Sequence, residues 1–257
     1  MYTLHKLQKR HSVRSYALEP LPDKTRDALR AEITDINTHE AGLNFQLLFN
    51  DSEPFRGFTR SYGMLRDVSN YLAAVIDPSY DFALERAGYF GEQFVMKCVD
   101  LGLGTCFVSG TFSRGNVSAR VAVYEELPFL IPFGISADRP SWIARVSMKL
   151  AHKHEMTPRD FFDGNDDEYA EAKRTFPWLD KALAAVACAP SALNRRPVRL
   201  SMKNVEGHNR IVATLLPGPA AKDPMNTTID LGIAKFNVAA VVPGVWEWGN
   251  GAPYIED

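Results

Sequence analysis

Two long apolar segments, each ended by glycine, constrain the fold of this chain most strongly. The first covers roughly residues 80–101 and stops at Gly102. The second covers residues 230–242 and stops just before Gly244. Apolar residues at this density predict central helices, and glycine is common just beyond a helix end.

A similar helix start precedes each long helix. The first is Leu21-Pro22-Asp23-Lys24, and the second is Trp178-Leu179-Asp180-Lys181. Because the chain restarts in this way, we predict two diverged halves, 1–164 and 165–257, which together form one compact unit. The second half would be shortened between its two helices.

Short apolar runs bounded by turn residues predict the strands. They cover 45–49, 71–76, 105–112 with a glycine turn, 127–135, 198–202 and 211–216. The run 127–135 contains two prolines, and proline lacks a ladder donor, so we expect an edge or irregular strand. With a further short helix over residues 4–9, the mixture predicts an α+β fold.

Composition and charge are those of an ordinary globular chain. Hydrophobic residues make up 46% and charged residues 23%, and the formal net charge is −2. That balance gives no basic field for nucleic acid or an anionic membrane. No run approaches the roughly twenty apolar residues of a membrane span, and the N-terminus lacks a signal-peptide core. The three cysteines form no Cys-x-x-Cys pair, which favours a reducing cytoplasm.

Acidic residues cluster between 163 and 168. Such a run could ligate a metal, but the oxygen-ligand spacing of a calcium loop is not met. We expect a solvated linker here and no metal site.

A basic cluster, Arg10-His11-Ser12-Val13-Arg14-Ser15-Tyr16, lies near the N-terminus. At helical spacing its two arginines would share one face and repel each other, so an anion between them is expected. The guanidinium fork suits a phosphate, and the serine adds a hydroxyl donor. The alternative is a basic surface turn with solvated charges.

A second segment, Ala189-Pro190-Ser191-Ala192-Leu193-Asn194-Arg195-Arg196-Pro197, completes a pattern. Together the two segments resemble the flavin-binding signature of the nitroreductase family, Arg-x-Ser-x-Arg with a following aromatic and Ala-Pro-Ser-Ala-x-Asn-x-x-Pro. The resemblance implies an α-β-α sandwich, bound FMN and two-fold dimers with the flavin at the subunit interface. In typical members the second motif follows the first closely, whereas here it lies in the other half.

The resemblance also implies site residues. Arg10, Ser12 and Arg14 would bind the FMN phosphate and ribityl hydroxyls, with His11 at the ring edge. From the other half, Pro190 and Ser191 would pack on the isoalloxazine. Asn194 would meet the flavin edge or fix its loop, and an Asx-type turn is the alternative.

Two further contacts follow from the same resemblance. The long helix ending in Gly-Leu-Gly-Thr leads to a turn that would place the Gly110 amide at flavin N5, with Ser109 beside it. A plain helix stop and turn would explain the same glycines. A basic residue would reach the phosphate, with Lys153 the candidate and Lys149 or His154 the alternates.

The halves are complementary, because each carries only the motif that the other lacks. This chain resembles the single-chain pseudo-dimers of the family, in which one fused chain builds one complete site. The expectation is a monomer with an internal pseudo-two-fold.

Three functions are open from the sequence. The first is an FMN-dependent oxidoreductase that transfers hydride from NADH or NADPH to a small-molecule acceptor, such as a nitroaromatic or a quinone. The second is a flavin carrier or sensor without turnover, and the third is a phosphate-ligand binding domain. No Ser-His-Asp or Cys-His signature occurs, so no catalytic side chain is named. The pair Arg195-Arg196 favours an anionic substrate or is simply solvated.

Overall fold

The computed structural model describes residues 1–56, 65–137 and 156–256, in which helices alternate with short antiparallel sheets. The helices of these residues are α1 (Leu4–Lys9), α2 (Asp23–His39), α3 (Ala83–Asp100), α4 (Asp166–Thr175), α5 (Leu179–Cys188), α6 (Pro217–Lys222) and α7 (Pro224–Val241). The strands are β1 (Leu43–Phe49), β2 (Asn70–Ile76), β3 (Gly104–Thr105), β4 (Glu126–Gly134), β5 (Val198–Val205), β6 (His208–Leu215), β7 (Val245–Trp246) and β8 (Tyr254–Ile255). The α+β prediction is confirmed.

The chain divides into two compact units that interleave in sequence. One, called here the four-strand unit, consists of Arg10–Ala83 and Gln93–His154. The other, called here the C-terminal unit, consists of Met1–Lys9, Leu84–Glu92 and Glu155–Asp257. The halves 1–164 and 165–257 remain a prediction about the chain's origin.

The four-strand unit is built on an antiparallel sheet in the order β1-β2-β4-β3. The strand that contains two prolines, β4, therefore lies inside the sheet, and the edge alternative is wrong. The irregular alternative is right, because the register with β2 shifts between Ala74 and Ile76, where Pro128 has no donor to offer. The core lies on this sheet, with Phe94 of α3 edge-on against Phe133 at 5.4 Å between ring centroids.

In the C-terminal unit, helices and strands follow one another along the chain in an order similar to that of the four-strand unit. Its strands pair as β5 with β6 and β7 with β8, all antiparallel, and a single bridge between Val212 and Pro253 joins β6 to the β8 end. Helix α7 follows the first pair as α3 follows β1 and β2, and α5 precedes β5 as α2 precedes β1. The same plan occurring twice is what two diverged halves predict.

Within the C-terminal unit the first part of α3 crosses α7 at two glycines. A Cβ at Gly88 would overlap the carbonyl of Ile229, and a Cβ at Gly232 would overlap the carbonyl of Glu85. Each glycine thus packs on the residue three positions before the other glycine. Such reciprocal contacts are the mark of a two-fold, isologous interface.

Next to this crossing lies a buried ion pair. The Lys235 ammonium lies 2.5 Å from Glu85 Oε1 and also donates to the carbonyls of Glu247 and Gly249. Both charged side chains are almost fully buried. The pair therefore ties the segment after β7 to the two long helices.

Polar caps account for one helix that was not predicted and for another that begins earlier than predicted. Asn165 accepts from the amides of Asp167 and Glu168, so the acidic run begins α4, and the linker prediction is wrong there. Likewise Asp223 caps α7, with Pro224 in its first turn, six residues before the apolar run begins.

Candidate functional site

The basic segment 10–16 is extended, so the helical spacing expected for it is wrong. Ser12 forms a parallel bridge with Thr105, and the Val13 amide donates to the Thr105 carbonyl at 2.8 Å. In an extended chain alternate side chains point to the same side. Arg10, Ser12 and Arg14 therefore still share one side, with a period of two residues.

Gly104 makes room for this segment. A Cβ at Gly104 would overlap the Val13 side chain and the Ser136 hydroxyl. Gly102, with a φ of +73°, provides the helix stop that was predicted. Gly104 thus has a different role, because it lets the basic segment at Val13 approach β3 closely. This role was not predicted from the sequence.

The three predicted phosphate ligands all act on the ionisation of the Cys106 thiol. Burial raises the pKa of Cys106, while the Arg14 charge, a hydrogen bond with Ser12 and the Arg10 charge lower it. The net pKa is raised, so the thiol stays neutral and does not compensate the guanidinium charges. Sequence reasoning gave Cys106 no role, although it directly follows the Gly-Leu-Gly-Thr run.

Tyr16 fixes the end of the segment. Its hydroxyl donates to the carbonyls of Val13, at 2.8 Å, and Pro132, at 3.2 Å. Burial raises its pKa well above the ordinary value, so the phenol remains a donor. The aromatic residue of the motif therefore holds the backbone on which Arg14 is mounted.

Ser109 and Gly110 follow Val108, which exchanges two backbone hydrogen bonds with Leu130. Ser109 is half-buried and Gly110 is exposed. A Cβ at Gly110 would meet no atom within 4 Å. The space beside this residue is open, and it lies in the same unit as Arg10, Ser12 and Arg14.

Pro190, Ser191 and Asn194 lie in the C-terminal unit, in the loop between α5 and β5. The Ser191 hydroxyl accepts from the Arg196 amide at 2.8 Å, and Asn194 Oδ1 accepts from Arg196 Nε at 3.2 Å. Both polar side chains thus help to fix the loop, in line with the loop-fixing alternative for Asn194.

The backbone of this loop is strained. Leu193, Asn194 and Arg196 have φ values of 53°, 55° and 48°. Asparagine tolerates this left-handed region, whereas leucine and arginine rarely adopt it. Strain of this kind collects at ligand-binding loops and persists only where the surroundings enforce it.

The other predicted residues are placed as follows. His11 is exposed, between Arg10 and Ser12 in the sequence. Lys153, with its alternates Lys149 and His154, lies outside the described residues. Among the residues that are described, no group of His, Cys, Asp or Glu could hold a metal ion. No helix in the described ranges is long and apolar enough to span a membrane.

Residues 3–241 match a protein family described as "Putative TM nitroreductase". The chain belongs to this family. The signature segments 10–16 and 189–197 both lie within the matched range. No curated protein matches the chain.

Solved structures of nitroreductases are similar to this one. A nitroreductase of Thermotoga maritima MSB8, described as putative, aligns at 18% identity over 99% of this chain and 92% of its own, with a TM-score of 0.56. An FMN-dependent nitroreductase of Clostridium difficile R20291 aligns at 17% identity over 52% and 87%, with a TM-score of 0.41. A nitroreductase with bound FMN from Bacteroides fragilis NCTC 9343 aligns at 15% identity over 52% and 88%, with a TM-score of 0.42. The first of these shows that the chain has a nitroreductase fold.

Proposed function

We propose that this nitroreductase family member is an FMN-dependent oxidoreductase that transfers hydride from NADH or NADPH to nitroaromatics, quinones or similar small acceptors. The observation that carries the proposal is the placement of Arg10, Ser12 and Arg14 on one side of a segment that pairs with Thr105 in extended form. Two similar structures are described as FMN-dependent or FMN-bound.

The donor set of this segment fits a phosphate. Two guanidiniums supply charged, planar donors, and a serine hydroxyl supplies a second kind of donor. The segment is held rigidly by the Ser12–Thr105 bridge and the Tyr16 hydrogen bonds, so the donors are pre-organised. We assign them to the FMN phosphate and ribityl hydroxyls, with Lys153 as a further phosphate ligand.

The remaining assignments concern the isoalloxazine. Pro190 and Ser191 would contact the ring, Asn194 would contact its edge or fix the loop, and the backbone at Ser109 and Gly110 would lie near N5. Bound FMN would supply the hydride-transfer chemistry, while the protein supplies binding, orientation and electrostatics. Accordingly no side chain is assigned a catalytic role.

Removing the arginines tests the phosphate assignment. Arg10→Ala and Arg14→Ala should each remove a charge-assisted hydrogen bond worth about 1.5–3 kcal/mol. The FMN dissociation constant should therefore rise roughly ten- to hundred-fold. Fluorescence titration of the apoprotein with FMN measures this constant. Arg120→Ala, at an exposed position of the same unit, is the matched control and should bind like wild type. Full affinity in both arginine variants would show the assignment to be wrong.

Turnover is tested separately. The FMN-loaded protein should oxidise NADH or NADPH in the presence of a quinone or nitroaromatic acceptor, followed at 340 nm. Flavin binding without oxidation of either nucleotide would favour a carrier or sensor instead.

A further inference from the structure

The buried carboxylate of Asp230 holds the strained loop 189–197 through a hydrogen bond. Asp230, in the first half of α7, accepts from the Ala192 amide at 3.1 Å through Oδ1 and 3.2 Å through Oδ2. The residue is only 4% exposed. The sequence does not single out Asp230, because this residue begins the dense apolar run that predicts the helix.

The loop itself covers this carboxylate. Asp230 lies in a small cleft whose other walls include Pro190, Ser191 and Pro197 of the loop, together with apolar residues of α5, β5 and α7. Lifting the loop would break the Ala192 hydrogen bond and admit water to the carboxylate. Seating the loop therefore requires Asp230 to lose its hydration.

Few charges face Asp230 from the surrounding elements. Asp223, at the start of α7, adds negative charge, and Arg195 of the loop opposes it. Arg195 is itself paired with Asp223 at 2.9 Å, so its positive charge is partly compensated. Arg196 lines the same cleft. Phe161, Val186, Val198 and Ala234, from the remaining elements, are apolar.

We propose that Asp230 is the positioning residue of the flavin-contact loop, and that seating the loop over its carboxyl group takes up a proton. The assignment of a flavin to this loop rests on the proposed function, whereas the coupling of the loop to a proton does not.

The sign of the pH dependence follows from burial. Burial raises the pKa of Asp230 to about 7, although the hydrogen bond from the Ala192 amide acts to lower this pKa. With the loop lifted and the carboxylate hydrated, the pKa returns toward about 4. The seated loop therefore binds a proton that the lifted loop releases. By linkage, the lifted population rises about tenfold between pH 6 and pH 8.

Hydrogen exchange of the flavin-free protein tests this coupling. The Ala192 amide donates to Asp230, so it exchanges when the loop lifts. The amides of Asn194 and Arg196 donate to Ser191 within the loop, so they report on opening of the loop itself. Asp230→Asn keeps an acceptor for Ala192 and cannot ionise. The ratio of wild-type to Asp230→Asn exchange rates for the Ala192 amide should rise about tenfold from pH 6 to pH 8.

Two controls accompany the measurement. Amides of the β5–β6 hairpin should show a ratio that does not change with pH. Asp180→Asn, a matched change at a half-exposed carboxylate on α5, should leave the loop ratio unchanged.

A pH-independent ratio at the Ala192 amide would overturn the proposal. A chemical-shift titration of the Ala192 amide near pH 7, absent in Asp230→Asn, would support it. Neither measurement uses flavin, so its outcome does not depend on the FMN assignment. The arginine variants test that assignment separately.

Discussion

At the scale of single residues, Gly110 separates the needs of the fold from those of the ligand. A side chain there would project into open space, so the protein alone does not require glycine at this position. A backbone that approaches a flat ring does require it. The two needs can therefore be told apart by one substitution.

We expect Gly110→Val to keep the melting temperature of the flavin-free protein and to slow flavin reduction by NAD(P)H. A misplacement of about 1 Å at a reacting centre costs on the order of a hundred-fold in rate. Stopped-flow reduction of the FMN-loaded protein measures the effect. Gly115→Val, at another open position of the same unit, serves as the control. Reduction of Gly110→Val at the wild-type rate would rule out the approach at N5.

The grouping of Arg10, Ser12 and Arg14 could be predicted from sequence, but its geometry could not. Positions four apart share a side in a helix and also in a strand, so the spacing alone did not decide between them. Cys106 and Asp230 were missed for a different reason. Their partners, Ser12 and Ala192, are remote in sequence, and only the fold brings them together.

At the scale of elements, the end of α3 builds the platform for the basic segment. The helix stops at Gly102, β3 begins at Gly104, and the segment 10–14 lies on that glycine. A methyl group at Gly104 would press on the Val13 side chain.

We therefore expect Gly104→Ala to lower the free energy of unfolding by about 1–3 kcal/mol, as overpacking does. It should also weaken FMN binding, because Arg14 is the residue directly after Val13. Urea denaturation and FMN titration measure the two effects. Gly115→Ala should change neither, and wild-type affinity in Gly104→Ala would contradict the platform described for this glycine.

Most elements were predictable because their apolar periodicity is strong, and the errors fall where polar contacts decide. The position of β4 inside the sheet depends on a register shift that accommodates Pro128. The start of α4 depends on the Asn165 cap, which a composition-based reading of an acidic run does not detect.

At the scale of the whole molecule, the two similar helix starts predicted a repeated plan of elements, which the described residues have. The Gly88–Gly232 crossing and the compact units were not predicted, because residues 84–92 group with residues 155–257 rather than with their neighbours in sequence. That grouping depends on close packing at two glycines, which leaves no periodic signal.

The crossing leads us to expect a monomer that binds one FMN per chain. A two-fold helix contact of the kind that joins two subunits is formed within one chain, and each signature segment occurs once. Light scattering combined with the flavin released per mole of protein measures both values. Two flavins per chain, or a tight dimer, would contradict this expectation.

The same crossing sets a constraint on biosynthesis. Gly88 leaves the ribosome roughly 140 residues before Gly232, a delay of about 7–30 s at translation rates of about 5–20 residues per second. During that interval the part of α3 around Gly88 lacks its partner α7, and contacts between such distant segments also form slowly. The nascent chain thus exposes an apolar surface until residues 224–241, near its end, have emerged, and we expect aggregation to compete with folding during that time.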